Sequence, residues 1–264
     1  MKPRISIVTI SFNQVAYLKD CIESVLSQNY ENLEYIIVDP GSTDGSRELI
    51  ESYGDKVIKL FQKDSGPSNG LNLGFAKATG DIGYFLNSDD VVLPNSFCTV
   101  AAIYEKDPDI DVVMGCGFFI DEGGNKFKRI KTTGFSVNKY IYGAVSFIQQ
   151  SVFFKMEAFR LVDGFNEANF TCWDGELLLD LAADGNTFHI INTNIGLFRI
   201  HSEGITGSGR LTAKYELDEL RIFSKITGRD KNRIDKVISV FCKVSRVLSN
   251  PSVLFWKYFR YGRV

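Results

Sequence analysis

Two adjacent carboxylates, Asp89 and Asp90, stand in "YFLNSDDVVLP" (Tyr84–Pro94) between two apolar runs. Like charges side by side repel, so the pair needs a reason to persist. Two readings stand. In the first, a hard divalent cation, Mn2+ or Mg2+, is held by one or both carboxylates while substrate phosphates and waters complete its shell. The cation then relieves the repulsion. In the second, the acids are turn and cap residues ahead of a helix near Pro94. Other familiar chemistries lack their residues. No GxGxxG follows the first apolar run, and GxxxxGK[ST] does not occur. "DPGSTDG" (Asp39–Gly45) has Gly41 where a calcium loop needs Asp or Asn, and no closing Glu follows.

The elements that must position these acids alternate. "RISIVTIS" (Arg4–Ser11), "LEYIIVD" (Leu33–Asp39), "VIKLFQ" (Val57–Gln62) and "IGYFL" (Ile82–Leu86) are apolar strands. Between them Ala16–Gln28, a segment capped by Asp44 that runs to about Tyr53, and Ser68–Ala78 are helical. Buried strands alternating with helices predict a parallel sheet covered on both faces. Ligands of such sheets lie beyond the strand C-termini. Ser11–Asn13, Asp39 and Asn87–Asp90 all end strands, so they are expected to line one crevice. Further on, Pro94–Glu105 reads as a helix. Asp111–Ile120 and Lys126–Ile130 read as a hairpin about the turn "DEGGN". Glu176–Ala183 reads as a helix with Asp174 just before it, and Thr212–Ile226 and Arg233–Leu248 as two more.

Composition sets the frame. The 264 residues are 44% hydrophobic, which suits a sizeable globular core. No apolar stretch spans a bilayer, and Ile5–Ile10 is too short for a signal sequence, so a cytoplasmic protein is expected. Five scattered cysteines form no CxxC pair, which argues against a disulfide framework or a zinc site. The net charge of −2 hides an asymmetry: residues 225–264 hold ten Lys or Arg against two Asp, a net of +8, leaving −10 elsewhere.

The sequence resembles the family 2 glycosyltransferases, inverting enzymes of GT-A fold, among them bacterial enzymes of O-antigen or capsule synthesis. The resemblance rests on "SIVTISFN", "IESVLSQNYENLEYIIVDPGSTDGS" and "DSGPSNGLNLGFAKATGDIGYFLNSDD", then "QQSVFFKMEAFRLVDGFNE" and "WDGELLLDLAADG", in that order over about 200 residues. It implies an α/β fold, a Rossmann-like nucleotide-diphospho-sugar transferase domain with a mostly parallel sheet. Residues 1–210 would be catalytic, with a donor half to about 117 and an acceptor half from about 118, and 211–264 a helical extension. Phe12 would stack on the base, usually uracil, and Asp39 would hydrogen-bond it. Ser11, Asn13 and Asn72 would join them at the nucleotide sugar. Asp89 would lie near the ribose or sugar and Asp90 would ligate Mn2+ or Mg2+ on the diphosphate, the two forming the metal pair. Asp174 matches the carboxylate taken as general base, with Glu176 as rival and a helix cap as the structural alternative; a helix dipole would lower its pKa. His201, with Arg199, would neutralise the leaving group or serve as a loop histidine. His189 reads as a packed strand residue, Gln149 and Gln150 as acceptor contacts, and Gly204–Gly209 as a lid or a plain loop. Pro40, Asn69 and Leu73 depart from the family pattern, which bears on donor identity.

The implied reaction moves a sugar from a nucleotide-diphosphate sugar, with UDP expected, to a hydroxyl of a glycan or lipid-linked glycan. The alternatives are a sugar-phosphate nucleotidyltransferase, whose glycine- and cation-rich loop is missing after the first strand, and an inactive nucleotide-sugar-binding scaffold. The basic, aromatic segment 231–264 suits an anionic membrane at the inner face of the plasma membrane, or it packs on the domain. No nucleic-acid motif accompanies it.

Overall fold

A computed structural model describes residues 2–204, 208 and 211–249. Its first part alternates as the periodicity predicts: β1 (Ile5–Ile10), α1 (Val15–Leu26), β2 (Leu33–Val38), α2 (Ser46–Ser52), β3 (Ile58–Leu60), α3 (Pro67–Phe75) and β4 (Ile82–Phe85). Then come β5 (Val91–Val92), α4 (Ser96–Lys106), β6 (Val112–Ile120), β7 (Lys126–Ile130), α5 (Val137–Ile141), β8 (Val152–Lys155) and α6 (Met156–Leu161). The described part closes with α7 (Trp173–Ala183), β9 (Phe188–Arg199), α8 (Thr212–Thr227) and α9 (Arg233–Ser249).

One mixed sheet runs in the order β3-β2-β1-β4-β8-β6-β9-β5, with β7 on β6. The first four strands are parallel. Ile10 faces Val38 and Val8 faces Phe85, so the residues just past β1, β2 and β4 emerge along one edge. Beyond β4 the sheet departs from the expected parallel pattern: β8 is antiparallel to both β4 and β6, while β9 runs parallel to β6.

Alternation along the strands builds two cores. Ile7, Tyr84, Val113 and Phe153 face α1 and α4, with Leu18, Ile22, Phe97 and Tyr104. Val8, Phe85, Val112 and Phe154 face α3, α6 and α7, with Leu71, Phe75, Phe159 and Leu178. A smaller core joins Cys172, Leu179 and Ile222 to Tyr140 and Ile141, which seats α8 against α5 and α7.

Local expectations need correcting in four places. Asp44 does not cap α2 from the cap position, which Gly45 holds at φ 99°. Instead its carboxylate accepts from Ser46 N (3.0 Å) and from Val15 N (2.9 Å), tying the N-termini of α2 and α1 together. Helix α7 begins at Trp173, so Asp174 lies within its first turn rather than ahead of it. Helix α4 begins after Asn95, too far on for Asp89 or Asp90 to cap. His189 lies on β9 opposite Val113 but is exposed, not packed.

β9 approaches the segment before β8 so closely that only glycine fits at residue 196. A Cβ there would sit 2.1 Å from the Gln150 carbonyl oxygen, a backbone atom. Gly196→Ala is therefore expected to cost about 1–3 kcal/mol of stability by overpacking. A urea-unfolding midpoint equal to that of the parent would refute this close approach.

Candidate active site

A cavity of about 1260 Å³ opens along the edge where β1, β2 and β4 end. One wall carries Ser11, Phe12, Pro40, Asn87 and Asp89; the other carries Gln149, Gln150, Trp173 and Asp174. Since about 300–1,000 Å³ suffices for one small ligand, this cavity has room for two reactants.

The Asp39 end is built for a hydrogen-bond donor. Asp39 is fully buried; its Oδ1 accepts from Gly41 N (2.9 Å), Ser42 N (2.8 Å) and Arg47 Nε (3.0 Å). Its Oδ2 is enclosed and has no partner. A buried carboxylate oxygen left unsatisfied calls for a donor from outside the chain. Gly41 makes the turn possible at φ 140°. Phe12 projects into the cavity with 59% of its surface exposed, an apolar face offered to a planar ligand. Ser11 lines the cavity with its Oγ also unpartnered. Asn13 does not line it. Held at φ 51°, it braces the turn: its N donates to Ser42 Oγ and its Oδ1 accepts from Thr43 N.

The adjacent acids point to opposite sides. The Asp89 carboxylate lines the cavity and its Oδ2 lies 2.9 Å from His201 Nε2. Asp90 is fully buried beneath it. Its Oδ1 accepts from Arg199 N (2.9 Å), and its Oδ2 accepts from Gln150 Nε2 (2.5 Å) and Asn87 Nδ2 (3.3 Å). Burial, followed by the Asp89 charge, pushes the Asp90 carboxyl well above the usual range despite these donors. The metal role expected of Asp90 thus meets an enclosed side chain, and Asp89 is the carboxylate that faces the crevice. Arg199 fastens this turn: its Nε donates to Asp89 O (2.8 Å), its Nη1 to Glu122 O (2.8 Å), and its guanidinium lies over the Tyr17 ring. His201, only 4% exposed, packs its ring 4.7 Å from that of Tyr17.

Asn72 does not reach the cavity. Its amide is consumed by the Phe165–Glu167 turn, donating to Phe165 O (2.8 Å) and accepting from Phe165 N (2.9 Å). In its place Asp64 lines the cavity, its Oδ1 accepting from Gly66 N (3.1 Å) and its pKa raised by burial. The "DSG" turn after a strand was the available signal for it. Gln149 and Gln150 donate inward, to Phe85 O (2.8 Å) and to Asp90, and leave their Oε1 atoms unpartnered at the cavity wall. Of the glycine-rich stretch 204–209, residues 205–207 and 209 lie outside the described residues, as do residues 250–264 of the tail.

Asp174 and Glu176 separate clearly. Asp174 lines the cavity, and burial raises its pKa more than the Gly175 N–H lowers it, reversing the expected depression by the helix dipole. Glu176 is 1% exposed and fully engaged by Arg221 (2.8 and 2.6 Å), Asn166 (2.9 Å) and Asn169 (2.7 Å). A carboxylate so occupied is a structural anchor for α8. Burial alone would raise its pKa, but the hydrogen bonds from Arg221, Asn166 and Asn169 hold it at about 2. The folded value lies below the ordinary 4.5, so its stabilising contribution is complete above pH 4.5 and disappears as pH falls through about 2. Glu176→Gln is expected to flatten the loss of stability over that window, read by urea unfolding at successive pH values. Parallel profiles for variant and parent would refute the assignment.

Comparison with known proteins follows the same lines. The Glycosyl transferase family 2 profile matches residues 6–165, which include Phe12, Asp39 and Asp89. Glycosyltransferase GlyG of Streptococcus pneumoniae serotype 4 is 31% identical over 245 residues, 85% of this chain and 80% of GlyG. An uncharacterized glycosyltransferase of Nostoc sp. is 27% identical over 75% of this chain. The chain spans 65% of that relative's length and 41% of that of a Rickettsia prowazekii one. S. aureus TarS in complex with UDP-GlcNAc superposes with a TM-score of 0.70 at 17% identity, over 94% of this chain and 73% of that one. Mannosyltransferase PcManGT from Pyrobaculum calidifontis, in complex with GDP-Man and Mn2+, superposes at 0.65 and 16% identity, over 100% and 77%. The fold is the expected GT-A fold, and the chain belongs to glycosyltransferase family 2.

Proposed function

We propose that this chain transfers a sugar, with inversion, from a nucleoside-diphosphate sugar to an acceptor hydroxyl. The observation that carries the proposal is the placing of Asp89 and Asp174 on one cavity, with Asp39, whose enclosed Oδ2 has no partner, next in sequence to the lining residue Pro40. Asp39 receives an N–H of the base, and Phe12 stacks on its face. A UDP-sugar is the expected donor, since a uracil ring offers one N–H to one carboxylate oxygen. Asp174 takes the proton of the acceptor hydroxyl. The freed oxygen bonds to the anomeric carbon as the bond from that carbon to the diphosphate oxygen breaks. One displacement turns an α-linked donor into a β-linked product. The raised pKa of Asp174 suits a base that works near neutral pH.

The residues also fit a divalent cation. Asp89 presents a hard carboxylate oxygen, and the enclosed Asn87 Oδ1 has no partner. Among the described residues no cluster of three His, Cys, Asp or Glu ligands exists, so Asp89, with His201 beside it, would need substrate oxygens to complete the shell. Mn2+ or Mg2+ bound there would stabilise the charge on the departing diphosphate. The Mn2+ in the PcManGT complex and the UDP-GlcNAc in the TarS complex support this reading by fold likeness.

The acceptor is proposed to be a glycan or lipid-linked glycan, as in cell-surface polysaccharide synthesis. The α9 surface favours the lipid-linked form. Ile234, Val237, Phe241, Val244 and Leu248 recur along one face and are 51–77% exposed, with Lys236 and Lys243 on the same helix. An exposed apolar stripe with flanking cations matches an anionic membrane surface. No described helix is long and apolar enough to cross a membrane.

The test is a panel of nucleotide sugars with Mn2+ or Mg2+, scored for donor hydrolysis and thermal stabilisation. Asp174→Asn should keep donor-induced stabilisation while transfer falls about 10²–10⁴-fold. Asp89→Asn should remove metal-dependent donor binding. Full transfer activity in Asp174→Asn would overturn the base assignment, and silence of the parent toward every donor would overturn the reaction.

A further inference from the structure

Two amides at the cavity wall keep an oxygen that neither the metal nor the base uses. Gln149 and Gln150 open a single helical turn, Gln149–Ser151, that leads into β8. They are 8% and 2% exposed, and both line the cavity. Gln149 Nε2 donates to Phe85 O (2.8 Å), and Gln150 Nε2 donates to Asp90 Oδ2 (2.5 Å). The Oε1 of each is enclosed and has no partner. Phe85 O can only accept, so turning the Gln149 amide over would set two oxygens against each other. A buried acceptor without a donor is costly, and a donor that enters the cavity removes the cost. The backbone behind the amides is pinned. Tyr84 OH donates to Gln150 O (3.0 Å), and Ser151 Oγ donates to Cys116 O (2.7 Å) and accepts from Gly196 N (3.1 Å). The two side chains therefore cannot withdraw to find partners within the chain.

Position decides which ligand group brings the donor. Gln150 shares Asp90 Oδ2 with Asn87, and Gln149 is fastened to Phe85, the last residue of β4. Both amides thus belong to the Asp89 turn, not to α7, which carries Asp174. In an inverting displacement the anomeric carbon lies between the departing diphosphate, at Asp89, and the base, at Asp174. The ring attached to that carbon then meets the wall that joins them. Asp89 and Asp174 are acceptors as well, and the Arg199 guanidinium is spent on Asp89 O, Glu122 O and the Asp20 carboxylate. A ring seated there must supply O–H or N–H donors of its own. We propose that Gln149 and Gln150 determine which sugar is transferred, each accepting one O–H or N–H of the donor's sugar ring. This gives to the donor two residues that the sequence alone assigned to the acceptor. A sugar without a hydrogen at either point leaves a buried oxygen unpaired and is rejected. The proposal rests on the transferase reading, which fixes Asp89 and Asp174 as the two ends of the reaction.

Equilibrium binding with Mn2+ present tests this. The probes are UDP, UDP-glucose, UDP-galactose and UDP-N-acetylglucosamine, each sugar also with fluorine in place of one hydroxyl at a time. Fluorine fills the space of a hydroxyl but cannot donate. For the sugar that the parent binds best, fluorine at one or two positions should weaken binding about ten-fold, the loss of a hydrogen bond to a buried acceptor. In Gln149→Met, which lacks the oxygen, the hydroxyl and fluorine forms should bind alike at one of those positions, while UDP binds as it does to the parent. Gln149→Glu, whose protonated form donates to Phe85 O and keeps an oxygen for the cavity, should restore the preference. The unchanged affinity for UDP separates a reading role from a structural one. A parent indifferent to fluorine at every position would overturn the proposal. So would a Gln149→Met variant that keeps the full hydroxyl preference, or one that loses UDP as severely as the UDP-sugar. A parent that binds neither UDP nor any of the sugars would instead sink the transferase reading.

Discussion

The buried carboxylate of Asp90 is the constraint on which the crevice depends. A carboxyl group at full burial is costly unless every oxygen is hydrogen-bonded. Asp90 obtains its donors from its own turn through Asn87, from the segment before β8 through Gln150, and from the end of β9 through the Arg199 backbone. Satisfying one side chain therefore draws three distant stretches of chain together. The same geometry turns Asp89 outward and carries His201, two residues past Arg199, to its side. The Arg199 guanidinium completes the knot by holding the Asp89 and Glu122 carbonyls and the Asp20 carboxylate.

Much of this arrangement was legible in the sequence because it follows from strand ends. Apolar runs that stop at Ser11, Asp39 and Asn87 announce a parallel sheet with a polar edge, and that edge is where the cavity lies. What stayed hidden depended on distant partners. Adjacency could not say which of Asp89 and Asp90 faces the ligand, since one step along a tight turn reverses the side. Asn72 looked available until its amide proved to be satisfied 93 residues away at Phe165. Only the part of β9 about His189 read as strand, because "NTNIGLFR" mixes exposed asparagines with apolar residues, and its pairing with β6, not its own pattern, extends the strand to Arg199. β5 has two residues, too few for any period.

The C-terminal helices divide two tasks that composition alone had merged. α8 is fastened to α7 by charge: Arg221 spans Glu176 and Lys225 reaches Asp180 at 2.7 Å. Its apolar residue Ile222 fills the core behind Asp174. α9 touches the body mainly through polar contacts, Tyr142 on Asp235 and Arg246 on Val145, and keeps its apolar face outside. One amphipathic segment closes the site; the other leaves a surface to be covered.

The Asp90 knot also bears on the order in which the molecule assembles. The β1–β4 layer joins neighbours in sequence and can form while the chain is still short. Its acid at position 90 must then wait 109 residues for the Arg199 N–H. Contacts of such long range form late in folding, and chains grow from the N-terminus. A nascent chain would thus hold a nearly finished sheet with an unfinished crevice floor, and only the docking of β9 would make the crevice edge permanent.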